Sequence, residues 1–185
     1  MDFEKVLYLL SREFERNKIN YGLIGGFSLA AWGVPRTTMD LDFLVAKSQK
    51  HKVQEILEYW GYELVYETEE GAQFVGKIEG LGEVDFLYAQ RPHSMKMLAR
   101  SEERKIDNIT VKVLIPEDII GLLVQAMAND PDRKYQSLAD IQAILDKYHA
   151  EVDWNLIKEY FHIFGLDKIF STIRRRYEIN RTENL

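Results

Sequence analysis

The sequence predicts an α+β fold: a small mixed sheet flanked by helices, followed by a set of C-terminal helices. Two observations predict it. Up to about residue 115, stretches with a helical hydrophobic period alternate with short apolar runs of strand length. From Pro116 onward only the helical period remains. No repeat, low-complexity tract or Pro/Gly-rich linker divides the chain. Residues 1–115 therefore read as an α/β core, and residues 116–185 as a helical part expected to pack on it.

The elements follow in order. Phe3, Val6, Leu7, Leu10 and Phe14 recur at helical spacing and predict an amphipathic helix over 3–17. Tyr21–Ile24 is a short apolar strand, and "GGFSLAAW" after it reads as a helix opened by its glycine pair. "MDLDFLV", residues 39–45, is a strand. The next helix runs from Ser48, as N-cap, to a stop at Gly61. Strand-like pieces follow at 62–67, 72–78 and 83–88, then a hairpin in "ERKIDNITVKVL" that turns at Asp107-Asn108. Helices are expected at about 117–128, 133–147, 153–164 and 167–178, ahead of a polar tail that frays.

Composition narrows the chemistry. With 46% apolar and 29% charged residues the chain is that of an ordinary globular protein, long enough at 185 residues for one substantial core. A net charge of -6 provides no global basic field, so any contact with a polyanion must be local. The absence of cysteine excludes disulfides, thiolate metal sites and a cysteine nucleophile. The N-terminus is charged, with helical period, and no run reaches the roughly twenty apolar residues of a membrane span. A cytoplasmic protein with no membrane partner is expected.

The chemistry concentrates between Tyr21 and Val45. Side chains alternate across a strand, so Asp40 and Asp42 share one face, while Met39, Leu41, Phe43 and Val45 take the other. Two adjacent carboxylates repel, and a divalent cation removes that repulsion; oxygen-only ligands suit Mg²⁺ or Mn²⁺. An exposed strand face is the plainer reading of the pair. "EVDFLY" repeats the pattern with Glu83 and Asp85, and if that strand lies beside the first, Asp85 joins the cluster. Three carboxylates can hold two metals across a phosphoryl transfer. Gly25 and Gly26 let a phosphate approach the backbone N–H groups of a helix start, with Ser28 as a further donor; a turn that needs positive φ is the plainer reading of the pair on its own. Arg36 can reach phosphate oxygens or pair with the acids.

This order of a strand, a Gly-Gly helix start, an Arg-Thr loop, a D-x-D strand and a later single-Asp strand resembles the nucleotidyltransferase superfamily, the DNA polymerase beta-like group. The spacing "R-x-T-x-D-x-D", here Arg36, Thr38, Asp40 and Asp42, is most similar to the AbiEii-type branch, some of whose members are toxins of toxin–antitoxin or phage-defence pairs. The resemblance covers residues 20 to 146. It implies a nucleotidyltransferase fold and metal binding by Asp40, Asp42 and Asp85. It also implies a triphosphate held at Gly25, Gly26, Ser28 and Arg36.

Asp140, before the apolar run of "ADIQAIL", matches an acidic position of that branch and is expected to face the protein body, with Arg133 or the active site as partner; a surface acid on a helix shoulder is the alternative. Two positions depart. Leu123 stands where members commonly carry lysine, and Ser137 where they often carry aspartate.

The expected activity is Mg²⁺-dependent transfer of a nucleoside monophosphate from an NTP to an acceptor hydroxyl on RNA, a protein or a small molecule, with an antitoxin as a candidate partner. The alternative is a catalytically reduced nucleotide-binding module acting through a partner protein, which Leu123 and Ser137 favour. A purely structural protein would make the acids and glycines coincidental. The four histidines lack metal-ligand spacing, and the aromatic run 154–170 reads as a packed helix pair. Arg174, Arg175, Arg176 and Arg181 sit at a helix C-terminus, where cations suit the dipole.

Overall fold

The computed structural model describes residues 1–34 and 36–182, with side chains to Glu178; of the polar tail from Arg174 expected to fray, the residues to Thr182 are helical, and residues 183–185 and the Arg181 side chain lie outside the description. Two compact units meet in sequence at Ile115/Pro116. Among the described residues no helix is long and apolar enough to cross a membrane.

The first unit is a seven-stranded mixed sheet with four α-helices: α1 (Phe3–Arg16), β1 (Tyr21–Ile24), α2 (Gly25–Ala31), β2 (Leu41–Ala46), α3 (Lys50–Tyr59), β3 (Tyr62–Glu67), β4 (Gly71–Gly76), β5 (Glu83–Ala89), α4 (Pro92–Arg100), β6 (Glu102–Ile106) and β7 (Ile109–Val113). The strand order is β3-β4-β5-β2-β1-β7-β6. β1 runs antiparallel to β2, while β2 and β5, which come together from distant parts of the chain, are parallel.

An aromatic cluster sets the register of the central strands. Phe43 of β2 stands opposite Phe86 of β5, their rings stacked at 5.8 Å, and Phe74 of β4 meets Phe86 edge-on at 5.6 Å. Phe14 of α1 covers them, edge-to-face with Phe43 at 5.4 Å and with Tyr21 at 5.1 Å. A slip of one residue would turn these rings to the opposite face and the intervening acids into the core. Burying the aromatic face therefore also decides where the acids stand.

Three local expectations are corrected. β2 begins at Leu41 rather than Met39; Met39 is 78% exposed, because residues 39–40 form a bend ahead of the ladder. Ser48 does not cap α3: it lies inside a 3₁₀ turn, Lys47–Gln49, and Gln49 holds the cap position. α4 falls in a stretch to which no element was assigned. Its start is a Pro at N1 with Arg91 and Ser94 exchanging capping hydrogen bonds, a pattern outside the usual Ser/Thr/Asp signals. The hairpin does turn at Asp107-Asn108, with Asp107 in the left-handed region at φ 52.

The second unit consists of α5 (Pro116–Asn129), α6 (Lys134–Tyr148), α7 (Trp154–Ile163) and α8 (Asp167–Thr182), with a 3₁₀ turn at Pro131–Arg133. Two of its acids close one helix on another. Tyr160 donates its hydroxyl to the buried Asp118 at 2.6 Å, and Glu117 accepts the Asp153 backbone N–H at 2.7 Å. Gly121 lets the Tyr160 ring lie against α5, since a Cβ there would meet the ring at 2.8 Å. The aromatic run does pack as a helix pair, with Phe161 and Phe170 at 5.7 Å. Arg174 lies over the Trp154 ring at 4.2 Å.

Candidate active site

Parallel pairing of β2 and β5 sets Asp42 directly opposite Asp85, two residues remote in sequence and adjacent in the sheet. Asp40, in the bend before β2, turns its carboxylate to the same point. One oxygen from each of Asp40, Asp42 and Asp85 lies within 4.8 Å of the others, and this is the metal-competent cluster found among the described residues. All three are half-buried.

The glycine turn is built against these acids. Gly25 has φ +64, and a Cβ there would overlap the Asp42 carboxylate, meeting its Cγ at 2.6 Å. Gly26 is held as closely to the loop ahead of β2: a Cβ there would meet Thr38 Cβ at 2.6 Å. Thr38 in turn donates its hydroxyl to Asp40 Oδ1 at 2.6 Å. Both readings of the pair thus have a physical counterpart, a left-handed turn and a close backbone approach, and what approaches in this structure is the acid cluster itself. Ser28 is fully buried under the turn and donates to the Gly25 carbonyl at 2.7 Å, so its proton faces the backbone. Arg36 is exposed on the loop that leads to β2.

Electrostatics distinguish Asp85. Burial is the largest influence raising its carboxyl above the ordinary 3.8, and the charges of Glu83 and Asp40 push the same way, against a lowering hydrogen bond from Gln73. Its Oδ1 is buried with no hydrogen-bond partner in the protein. Gln73 stands across from Asp85 on β4 and also donates to Glu83. An all-carboxylate donor set, converging on one point with a buried oxygen left without a partner, fits a hard divalent cation such as Mg²⁺ or Mn²⁺.

In the helical unit, Asp140 is buried and accepts from Gln136 Nε2 at 2.8 Å, one helical turn away. Gln136, which sequence reasoning did not name, is thus one of its partners. Ser137 is buried and Leu123 half-buried.

Sequence reasoning left Thr38 and Gln73 without a role. Thr38 lay in the quoted motif, and its spacing two residues before Asp40 was an available signal. Gln73 offered none, because its place beside Asp85 depends on β4 pairing with β5.

Residues 5–178 match the model of a family described as "uncharacterised nucleotidyltransferase". No curated protein matches the sequence. Among solved structures, the fold is similar to that of ANT(2″)-Ia in complex with adenylyl-2″-tobramycin, at TM-score 0.63 and 14% identity over 94% of this chain and 97% of that one. It is similar to the lincomycin-bound lincosamide antibiotic adenylyltransferase LnuA, at 0.56 and 18% over 76% and 95%. A third likeness is an antigenic nucleotidyltransferase-like protein from Paracoccidioides brasiliensis, at 0.56 and 18% over 78% and 76%.

Proposed function

Because the chain belongs to this nucleotidyltransferase family, and so is an enzyme of the transferase class, we propose that it moves a nucleoside monophosphate from an NTP to an acceptor hydroxyl at the Asp40–Asp42–Asp85 cluster. The observation that carries this reading is the convergence of the three carboxylates beside the Gly25-Gly26 turn. It also favours an active enzyme over a reduced binding module, since the acids are intact despite the departures at Leu123 and Ser137.

Asp40, Asp42 and Asp85 would hold Mg²⁺ or Mn²⁺, which when bound neutralises phosphate charge and polarises the phosphoryl oxygens. The chain's own groups do the rest. Gly25 and Gly26, without side chains, leave backbone N–H groups open to the triphosphate, with Ser28 behind the turn and Arg36 on the adjoining loop. In the transfer, the acceptor oxygen bonds to the α-phosphorus, the bond from that phosphorus to the bridging oxygen breaks, and pyrophosphate leaves. Asp85, on the side of the cluster nearest Gln73, takes the hydroxyl proton. Positioning and charge carry most of the catalysis in such reactions.

Strand order supports an approach for the acceptor. The triphosphate turn leaves β1 on one side of the acids, and Gln73 and Glu83 lie beside Asp85 on β4 and β5, on the other. Glu83 adds negative charge on that side, which disfavours a polyanionic acceptor. The two antibiotic-bound neighbours carry small molecules, so small-molecule hydroxyls come first in an acceptor screen. RNA ends and protein hydroxyls follow, with an antitoxin as partner, as the AbiEii-type resemblance suggests.

The test is thermal stabilisation by each of the four NTPs with and without Mg²⁺, then pyrophosphate release over the acceptor panel, with the Asp40/Asp42 double Asn variant alongside. Metal-dependent stabilisation that this variant loses supports the reading. A folded wild-type protein indifferent to every NTP with Mg²⁺ overturns it.

A further inference from the structure

The three acids are not held alike. Asp42 and Asp85 are fixed by the β2–β5 ladder, where they stand opposite one another in register. Asp40 precedes the first ladder residue, Leu41, so no strand pairing orients it. A carboxylate in a bend samples several rotamers unless something holds it, and ligand geometry tolerates little of that. Thr38 supplies the hold: its hydroxyl donates to Asp40 Oδ1 at 2.6 Å. Thr38 is itself wedged against α2, with the Gly26 backbone so near that a Cβ there would meet Thr38 Cβ at 2.6 Å, Cγ2 at 2.9 Å and Oγ1 at 3.1 Å.

Resting on the reading above, we infer that Thr38 is a positioning residue that clasps Asp40 into the cation site and ties it to the glycine turn. The methyl group seats Thr38 on Gly26, and the hydroxyl aims the carboxylate. Gly26 then has a second duty besides admitting phosphate: it leaves room for the clasp. A hydrogen-bond partner of a metal ligand typically matters by about 10- to 100-fold in metal affinity.

The test is Mn²⁺ binding to the full chain, read by electron paramagnetic resonance, with and without NTP, for wild type, Thr38→Val, Thr38→Ser and the exposed neighbour Thr37→Val. Thr38→Val should bind Mn²⁺ about tenfold more weakly, with the metal-free melting temperature little changed. Thr38→Ser should restore most of the affinity, and Thr37→Val should match wild type. Gly26→Ala, measured without nucleotide, should also weaken Mn²⁺ binding, because its methyl displaces Thr38. Should Thr38→Val fail to fold, Thr38→Ala against Thr38→Ser makes the same comparison. Wild-type affinity in the hydroxyl-free variant overturns the clasp alone, as does a Thr38→Ser variant no better than it. A wild-type protein that binds no Mn²⁺ under either condition overturns the nucleotidyl-transfer site, and the clasp with it.

Discussion

Two sets of carboxylates, one in each unit, are held differently. In the helical unit, Asp118 is fully buried and takes the Tyr160 hydroxyl at 2.6 Å, and Glu117 takes the Asp153 N–H at 2.7 Å. Each of these acids is answered by a protein group that closes one helix against another. In the sheet unit, Asp40, Asp42 and Asp85 crowd together, and Asp85 Oδ1 is buried without a partner. Burial alone therefore says little about function. Carboxylates crowded at one point raise one another's proton affinity, which is why the cluster rather than the buried pair carries the proposed cation site.

The largest effect should come from the sheet. Asp42→Asn removes a carboxylate of the proposed cation site and should lower transfer by at least about a hundredfold. The isosteric amide keeps the strand, so the melting temperature should move little. Full activity in a folded Asp42→Asn protein would break the comparison at its root. Kinetics and melting should be measured on the same sample.

Tyr160→Phe makes the opposite cut. It keeps the ring against Gly121 and removes only the hydroxyl that Asp118 accepts. Loss of a hydrogen bond to a buried carboxyl should cost about 2 kcal/mol in denaturant unfolding, while Mn²⁺ affinity of the folded protein stays at the wild-type value. A stability change near zero would show that Asp118 does not depend on that hydroxyl.

The subtlest difference is in pH. The Asp85 carboxyl is raised in the folded state, mainly by burial, so between its ordinary 3.8 and the raised value the native protein binds more protons than the unfolded chain. Stability of the metal-free protein then falls as pH rises through that window, and the favourable contribution is full only below it. Asp85→Asn should flatten this part of the profile. Melting curves in EDTA between acid and neutral pH check it, and an unchanged slope would mean that the site acids are relieved by some other group.

Much of the arrangement was legible in the chain because the signals were local. The strand Tyr21–Ile24, the helix opened by Gly25-Gly26, and the three strand pieces from 62 to 88 each depend on a period or breaker visible within ten residues. The spacing from Arg36 to Asp42 likewise lies within a few residues and brings Asp40 and Asp42 forward together. Of the elements misjudged, α4 opens on Pro92 at N1, a start signal that was present in the chain, while the bend at 39–40 continues an apolar alternation that only strand pairing interrupts.

By itself the sequence determined which chemistry was available: three acids and two glycines, an all-oxygen donor set, no thiols, and a nucleotidyltransferase pattern. Tertiary structure decided which atoms meet. That Asp85 pairs with Asp42 follows from β2 and β5 lying parallel, their register set by the stacking of Phe43 on Phe86. That Gly25 stands against the Asp42 carboxylate, and Gly26 against Thr38, follows from how the turn packs on the loop and strand of β2. That Gln73 flanks Asp85 follows from β4 closing on β5. The physical reason is one of range: propensity and period act along a few residues, whereas side chains distant in sequence are aligned only once the sheet buries its aromatic face.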